Sequence, residues 1–130
     1  MIYEARSNNP KITLVLGASL NPGRYSYLAI EKLRKYGHGV IAVGKVLGQV
    51  SGVSIEQEFP DGKEVDTLTL YLNPENQKAY YEKILSLKPK RVIFNPGTEN
   101  HEFVSMLNQK GILTEVACTL VLLGTNQYDT

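Results

Sequence analysis

Short apolar runs alternate along the chain with longer segments in which apolar residues recur at helical spacing. The runs lie at residues 11–16, 40–43, 66–72, 91–94 and 112–116. This alternation is typical of βαβ units, in which parallel strands are joined by crossover helices. It predicts an α/β, doubly wound Rossmann-like fold with a five-stranded, mainly parallel sheet and helices on both faces. A short extra strand is also predicted near residues 53–55.

Four helices are predicted between and after these runs, over residues 25–36, 74–87, 102–110 and 118–123. Ser26 is predicted to cap the first helix, because a serine hydroxyl satisfies N–H groups that the first turn leaves free. Gly37 and Gly111 follow the first and third helices, where glycine commonly ends a helix. The apolar face predicted for the first helix comprises Leu28, Ile30, Leu33 and Tyr36.

The length and charge of the chain exclude several classes of protein. One hundred and thirty residues fit a single domain, predicted to span residues 1–130 with a core at about 11–123. A net charge of +1 is too small for a protein that tracks a nucleic-acid backbone. The apolar runs are too short to span a membrane, and the first ten residues lack the apolar core of a signal peptide. We therefore expect a cytoplasmic protein that binds neither nucleic acid nor membrane.

The chain has few residues of the kinds that build metal or catalytic centres. Cys118 is the only cysteine, which excludes an internal disulfide, and with two histidines the ligands are too few for a structural zinc site. His101 stands at a predicted helix start, where capping or a surface position explains it better than general base catalysis. No Ser-His-Asp order, paired-carboxylate pattern or H-E-x-x-H sequence occurs. The sequence predicts no metal site and no catalytic residue.

The loop after the first strand has the composition of a phosphate-binding segment. Ligands of open α/β sheets bind beyond the carboxyl ends of the strands. The loop reads Gly17-Ala18-Ser19-Leu20-Asn21-Pro22-Gly23-Arg24. A glycine there lets backbone N–H groups approach a phosphate, and the N-terminus of the next helix favours an anion. The same residue types also build ordinary turns, so this loop alone does not decide between the two interpretations.

The loop after the second strand argues against NAD. The G-x-G-x-x-G pattern of dinucleotide-binding proteins is absent, and Val43-Gly44-Lys45-Val46 stands where a carboxylate for the ribose hydroxyls is expected. A lysine there suits a phosphorylated ribose or a pyrophosphate and offers an NAD ribose no acceptor. A surface lysine in a turn is the alternative explanation of Lys45.

Two further loops combine asparagine with proline, and they read Asn73-Pro74 and Asn95-Pro96-Gly97. Gly97 permits a backbone conformation closed to other residues, and the polar residues that follow it can cap the next helix or face a ligand. Cys118 follows the fifth strand, where it is either a thiol beside the site or an inert buried cysteine.

Together these loops resemble those of the small stand-alone CoA-binding proteins, whose single domain is similar to the CoA-binding domain of the succinyl-CoA synthetase α subunit. The resemblance covers residues 11–123. Its carriers are VLGASLNPGRYS, VIAVGK, VDTLTLYLNPE, RVIFNPGTENHEF and GILTEVACTLVLL. Each piece alone is common, and the combination is specific.

The resemblance implies which residues bind coenzyme A. The residues implied for its phosphates are Gly17, Ala18, Ser19, Arg24 and Ser26. Lys45, preceded by Gly44, matches a lysine that the synthetase domain places against CoA. The residues implied for the adenosine and pantetheine path are Asn73, Pro74, Asn95, Pro96 and Gly97. Cys118 falls where many of the stand-alone proteins carry a cysteine.

The chain departs from this family at two places. Many members have Asn-Pro after the second strand, where this chain has Gly44-Lys45, and this affects the contacts on the adenine side. Many members place Gly-Arg or Asp-Arg before the cysteine, where this chain has Val116-Ala117, so one cation near the thiol is missing. The phosphohistidine of the synthetase belongs to another domain, and His101 does not take that role.

These observations predict a CoA-binding module without catalysis of its own, whose ligand is coenzyme A or an acyl-CoA. A small thiol-redox or NADP-dependent enzyme using Cys118 or the same nucleotide site is the alternative. A regulatory partner of a larger acyl-CoA enzyme would use the same residues. The sequence does not determine a protein partner or a homo-oligomer.

Overall fold

The computed structural model describes residues 11–129, and seven strands within them form one sheet. The strands are β1 (Ile12–Ala18), β2 (Gly39–Gly44), β3 (Gly48–Val50), β4 (Val53–Glu56), β5 (Thr67–Leu70), β6 (Arg91–Phe94) and β7 (Leu113–Val116). Their order is β3-β4-β2-β1-β5-β6-β7, and every neighbouring pair is parallel except β3 and β4. The predicted Rossmann-like α/β class is confirmed.

The sheet has seven strands rather than the five predicted. β4 corresponds to the extra strand expected near residues 53–55, while β3 was not predicted. The two strands form a hairpin through Ser51 and Gly52, which both have positive φ, at 50° and 80°. Such two-residue turns match the twist of the flanking strands. With only three residues, β3 is too short to show a hydrophobic period.

The helices match the predicted segments, with one interruption. They are α1 (Tyr25–Lys35), α2 (Pro74–Gln77), a 3₁₀ turn (Lys78–Tyr80), α3 (Tyr81–Leu87), α4 (His101–Gln109) and α5 (Thr119–Gly124). The single helix predicted over residues 74–87 is therefore wrong. The 3₁₀ turn directs neighbouring tyrosines to different partners, since Tyr81 stacks on Phe103 at 4.3 Å while Tyr80 contacts Phe59. No helix within residues 11–129 combines the length and the apolar character needed to cross a bilayer.

The start of α1 corrects the prediction that Ser26 is its N-cap. Arg24 occupies the cap position, because the Arg24 N–H donates to the Asn21 carbonyl at 3.0 Å and this turn leads directly into the helix. Ser26 is instead buried within the first turn. The buried face comprises Ser26, Ala29, Ile30 and Leu33. Of the predicted face, Ile30 and Leu33 are buried and Leu28 is only half-buried. The prediction was wrong at Tyr36, because this residue lies beyond the last helical residue and is 47% exposed.

Both glycines predicted to end helices do so. Gly37 and Gly111 have φ of +87° and +78°. After α4, the Ile112 N–H donates to the Leu107 carbonyl and the Gly111 N–H to the Asn108 carbonyl, each at 3.0 Å. This pattern satisfies carbonyls that the last turn leaves free, and it fixes where the next strand begins.

Two apolar layers cover the faces of the sheet. Side chains alternate along β1, so that Leu14 and Leu16 pack on one face and Val15 on the other. The first layer includes Ile84, Phe103 and Leu107 from α3 and α4. The second includes Ile30, Leu33, Leu122 and Leu123 from α1 and α5. The two layers fix the strands in place, and the loops at the carboxyl ends of the strands extend beyond the sheet, where they can form a site.

Candidate functional site

A cavity of about 720 Å³ opens at the carboxyl ends of the strands, where the strand order reverses between β1 and β5. Its lining comes from the loops after β1, β2, β5 and β6, together with the start of α1. Ligands of open α/β sheets bind at this reversal point. The volume falls within the range of roughly 300–1,000 Å³ that is typical of ligand pockets.

Many of the predicted binding residues meet in this cavity. Those in its lining are Gly17, Ala18, Ser19, Arg24, Ser26, Gly44, Lys45 and Pro96. Those outside its lining are Asn73, Pro74, Asn95, Gly97 and Cys118. The sequence analysis missed several lining residues, among them Leu20, Tyr25, Tyr71, Leu72, Tyr80 and Thr98. Most of these directly follow a strand or adjoin a predicted residue, which was an available signal, whereas Tyr80 reaches the cavity only through the tertiary fold.

Gly17 and Ser19 shape the loop after β1. Gly17 has φ of +99°, and a Cβ there would lie 3.1 Å from the Tyr71 carbonyl carbon. A larger residue would both strain the backbone and crowd the end of β5. The Asn21 N–H donates to the Ser19 hydroxyl at 3.0 Å, and the Gly23 N–H donates to the Asn21 carboxamide oxygen at 2.9 Å. These local bonds turn the loop into the N-terminus of α1.

The N-terminus of α1 borders the cavity and has no side-chain cap. Arg24, Tyr25 and Ser26 all belong to the lining. Among residues 11–129, no side chain caps the first-turn N–H groups, and the first turn contains no acidic residue. Free N–H groups and the positive end of the helix dipole together favour an anion. The arrangement suits a phosphate group.

Two cations stand beside this helix end. Arg24 and Lys45 are exposed, and neither forms an ion pair within residues 11–129. Gly44 brings their loops together, because a Cβ on Gly44 would overlap the carbonyl oxygen of Ala18. The Gln57 side-chain amide donates to the Lys45 carbonyl at 2.6 Å and fixes the backbone there. Unpaired cations held this way can form charge-assisted hydrogen bonds to an anionic ligand.

The loops after β5 and β6 supply a largely apolar wall. Tyr71, Leu72, Pro96 and Thr98 line the cavity from these loops, and Tyr80 adds to the wall from the 3₁₀ turn. The Asn95 side chain behind them is buried, and it donates to the Thr69 hydroxyl and the Leu70 carbonyl at 2.6 and 2.8 Å. Its oxygen accepts from the Thr119 N–H at 2.8 Å. Asn95 therefore anchors the loop that presents Pro96.

Asn73 and Pro74 also serve the local structure. The Asn73 oxygen accepts from the Asn76 N–H at 2.8 Å and caps α2, in which Pro74 is the first residue. Proline suits this position because its missing N–H would have no partner there. A contact of either residue with a ligand stays a prediction.

The lining contains none of the residues that usually supply a general base or a thiol. In the described part of the chain, no aspartate, glutamate, histidine or cysteine is among the cavity-lining residues. Cys118 is a half-buried free thiol at the N-cap of α5, and His101 is the exposed first residue of α4. His38 lies at the amino end of β2, with its Nε2 3.7 Å from the Asp129 carboxylate. Across residues 11–129, no cluster of three such side chains is placed to hold a metal ion.

Several solved structures share this fold. A crystal structure of an uncharacterized protein is 52% identical, with a TM-score of 0.87, and the alignment covers 92% of this chain and 99% of that one. A protein from Thermus thermophilus is 26% identical, with a TM-score of 0.79 and coverage of 95% and 96%. Part of the dinucleotide-forming acetyl-coenzyme A synthetase 1 of Ca. Korarchaeum cryptofilum has the same fold at 17% identity. That alignment has a TM-score of 0.68 and covers 88% of this chain and 27% of the synthetase chain.

The family comparison agrees with the position of the cavity. A search of curated proteins found no match. The CoA binding domain family matches residues 11–124, which include every loop that lines the cavity. The chain therefore belongs to the CoA binding domain family.

Proposed function

We propose that this chain binds coenzyme A or an acyl-CoA in the cavity and catalyses no reaction on its own. The proposal rests on one observation. In a member of the CoA binding domain family, the cavity joins the uncapped N-terminus of α1 to two unpaired cations, Arg24 and Lys45. Coenzyme A bears a pyrophosphate and a ribose phosphate, and these are the groups that such a combination attracts.

The two sides of the cavity suit different parts of this ligand. Free backbone N–H groups, Arg24 and Lys45 hold the phosphates on the side built from β1 and β2. The pantetheine chain extends along the apolar wall, where Leu72 and Pro96 offer packing surface. Four residues predicted for this path do not line the cavity, and they contribute to binding by shaping the loops that do. They are Asn73, Pro74, Asn95 and Gly97.

Binding without catalysis is supported by the residues that face the ligand. The lining, as formed by residues 11–129, has no carboxylate, imidazole or thiol to transfer a proton or form a covalent intermediate. The thiol-redox alternative requires Cys118, which lies outside the lining. An NADP-dependent reaction requires a second substrate beside the nicotinamide. The ionisable groups in the lining that could orient such a substrate are limited to Arg24, Lys45 and the tyrosines.

Titration calorimetry with coenzyme A tests the proposal. Arg24→Ala and Lys45→Ala each remove a charge-assisted hydrogen bond and should weaken binding by about 1.5–3 kcal/mol. Lys35→Ala is the matched control, because Lys35 is an exposed cation in the last turn of α1, at the opposite end from the cavity. The control should bind as the parent does.

Two results would contradict the proposal. If both cation variants bound coenzyme A as tightly as the parent, the two side chains would be ordinary surface residues. If intact-protein mass after incubation with CoA disulfide showed rapid and complete addition of one CoA to Cys118, the chain would be a thiol-redox protein.

A further inference from the structure

A fully buried glutamine joins the two loops that form the apolar wall. Gln77 is the last residue of α2, has an exposed fraction of 0% and does not line the cavity. Its amide nitrogen donates to the carbonyls of Leu72 and Thr98 at 2.9 and 2.8 Å. Both of these residues belong to the cavity lining.

Both polar atoms of the Gln77 amide group are hydrogen-bonded. Its two N–H donors serve the two loop carbonyls, and its oxygen accepts from the Asn100 side chain at 2.9 Å. A buried polar group costs free energy unless it is bonded in this way. The pairing of β5 with β6 ends at Leu70 and Phe94, so backbone bonds of the sheet do not link the two loops that follow. Asn95 bonds back to the end of β5, and Gln77 links the loops themselves.

Asn100 fixes the glutamine in turn. Its amide nitrogen also donates to the Tyr81 hydroxyl at 2.8 Å, and its oxygen accepts from the Phe103 N–H at 3.0 Å as the N-cap of α4. The Tyr81 hydroxyl donates to the Glu102 carboxylate at 3.1 Å. The hydrogen bond from Asn100 thus ties the Gln77 side chain to α4, a helix packed into the core. Gln77 cannot move with either loop without breaking this bond.

We propose that Gln77 is a positioning residue for the binding cavity. By holding the carbonyls of Leu72 and Thr98 at a fixed separation, it sets the shape of the apolar wall and the affinity for the pantetheine part of coenzyme A. This inference rests on the proposed function. The side that holds the phosphates is built from the loops after β1 and β2 and makes none of these bonds, so phosphate binding is independent of Gln77.

The test compares two ligands, coenzyme A and adenosine 3′-phosphate 5′-diphosphate, which lacks the pantetheine. Gln77→Met keeps the side-chain length but leaves the Leu72 and Thr98 carbonyls without their donor. The Asn100 amide loses one of its two acceptors and keeps the Tyr81 hydroxyl. Its affinity for coenzyme A should fall by about tenfold or more, the size of effect that one lost buried hydrogen bond produces. Its affinity for the pantetheine-free nucleotide should stay within about twofold of the parent. Gln109→Met, at an exposed position in α4, should change neither affinity.

A second variant keeps the test decisive if Gln77→Met fails to fold. Asn100→Ser retains an oxygen that can cap α4 and loses the donor to Gln77, so it should show the same selective loss. Equal losses for both ligands, or unchanged binding of coenzyme A by a folded variant, would overturn the positioning role. If the parent chain bound neither ligand, the proposed function itself would be contradicted. If the parent bound coenzyme A and the variants bound it equally well, only the role of Gln77 would be contradicted.

Discussion

Tyr71 shows how burial beside the cavity changes the pKa of a single side chain. Its hydroxyl is buried and makes no hydrogen bond within the described part of the chain. Burial raises the pKa of Tyr71 to about 12. The hydroxyls of Thr69 and Thr119 lie nearby and oppose part of this rise, yet they bond to each other at 2.8 Å. The phenol therefore stays protonated at neutral pH and offers no base to a ligand.

The raised pKa of Tyr71 predicts a loss of stability in alkaline solution. Between pH 10 and pH 12 the unfolded chain loses this proton while the native chain keeps it, so the free energy of unfolding falls as the pH rises through that window. The slope from one such group is at most about 1.4 kcal/mol per pH unit. Tyr71→Phe removes this contribution and an unpaired buried hydroxyl. Urea unfolding at pH 9 and pH 11 should show a smaller loss for Tyr71→Phe than for the parent.

The control for this prediction is Tyr25→Phe, at a tyrosine that is 69% exposed. Its stability should fall between the two pH values by as much as that of the parent. If Tyr71→Phe lost as much stability as Tyr25→Phe, the burial of the Tyr71 hydroxyl would have no consequence for alkaline unfolding.

At the scale of the elements, Gly44 sets how closely β1 and β2 approach at their carboxyl ends. A Cβ at this position would overlap the Ala18 carbonyl oxygen and lie 3.2 Å from the side chain of Ile55. Gly44→Ala should therefore force the strand ends apart and lower the free energy of unfolding by about 1–3 kcal/mol. Because these ends carry the loops with Arg24 and Lys45, binding of coenzyme A should weaken as well.

Gly124→Ala provides a comparison for Gly44→Ala in chemical unfolding. A Cβ on Gly124 would meet only the end of the flexible Lys32 side chain, at 3.0 Å. Alanine also favours a helix more than glycine does, so this variant should be neutral or slightly more stable than the parent. Equal stabilities of the two variants would show that β1 and β2 tolerate a wider separation.

Local signals explain which elements could be predicted from the sequence. Gly37 and Gly111 mark helix ends by a backbone conformation that few other residues adopt, and the structure has both ends there. β3 lacked any such signal, because three residues do not establish a period. The interruption of the helix after residue 77 accompanies ring contacts of Tyr80 with Phe59 and of Tyr81 with Phe103, partners that are distant in sequence and give no local signal.

The residues of the candidate site likewise fall into those with a local signal in the sequence and those without one. The loops after β1 and β2 were predictable because a glycine or a lysine at a strand end has a chemical meaning without reference to the rest of the fold. Gln77 has no such meaning in the sequence, where a glutamine normally indicates a solvent-exposed position. Only the tertiary fold shows that its amide lies between two loop carbonyls.

At the scale of the whole molecule, the cavity spans the two halves of the sheet. The half that contains β2 and β4 contributes Lys45, and the half that contains β5 and β6 contributes Leu72 and Pro96. A ligand that contacts both sides links segments far apart in sequence. Since the unfolded chain brings none of these segments together, such a ligand should bind the native state alone and stabilise it.

Coenzyme A should therefore raise the melting temperature of the chain, and NAD should not. At a ligand concentration of 100 times Kd, native-state binding adds about 2.7 kcal/mol to the free energy of unfolding, which for a domain of this size is a shift on the order of 10 °C. NAD has no ribose phosphate for Lys45, and the loop after β2 has no carboxylate for its ribose hydroxyls. Scanning calorimetry with each ligand makes the comparison, and Lys45→Ala should reduce the shift produced by coenzyme A. An equal shift with NAD would contradict selective binding of coenzyme A, because the two ligands would then be held only by the pyrophosphate that they share.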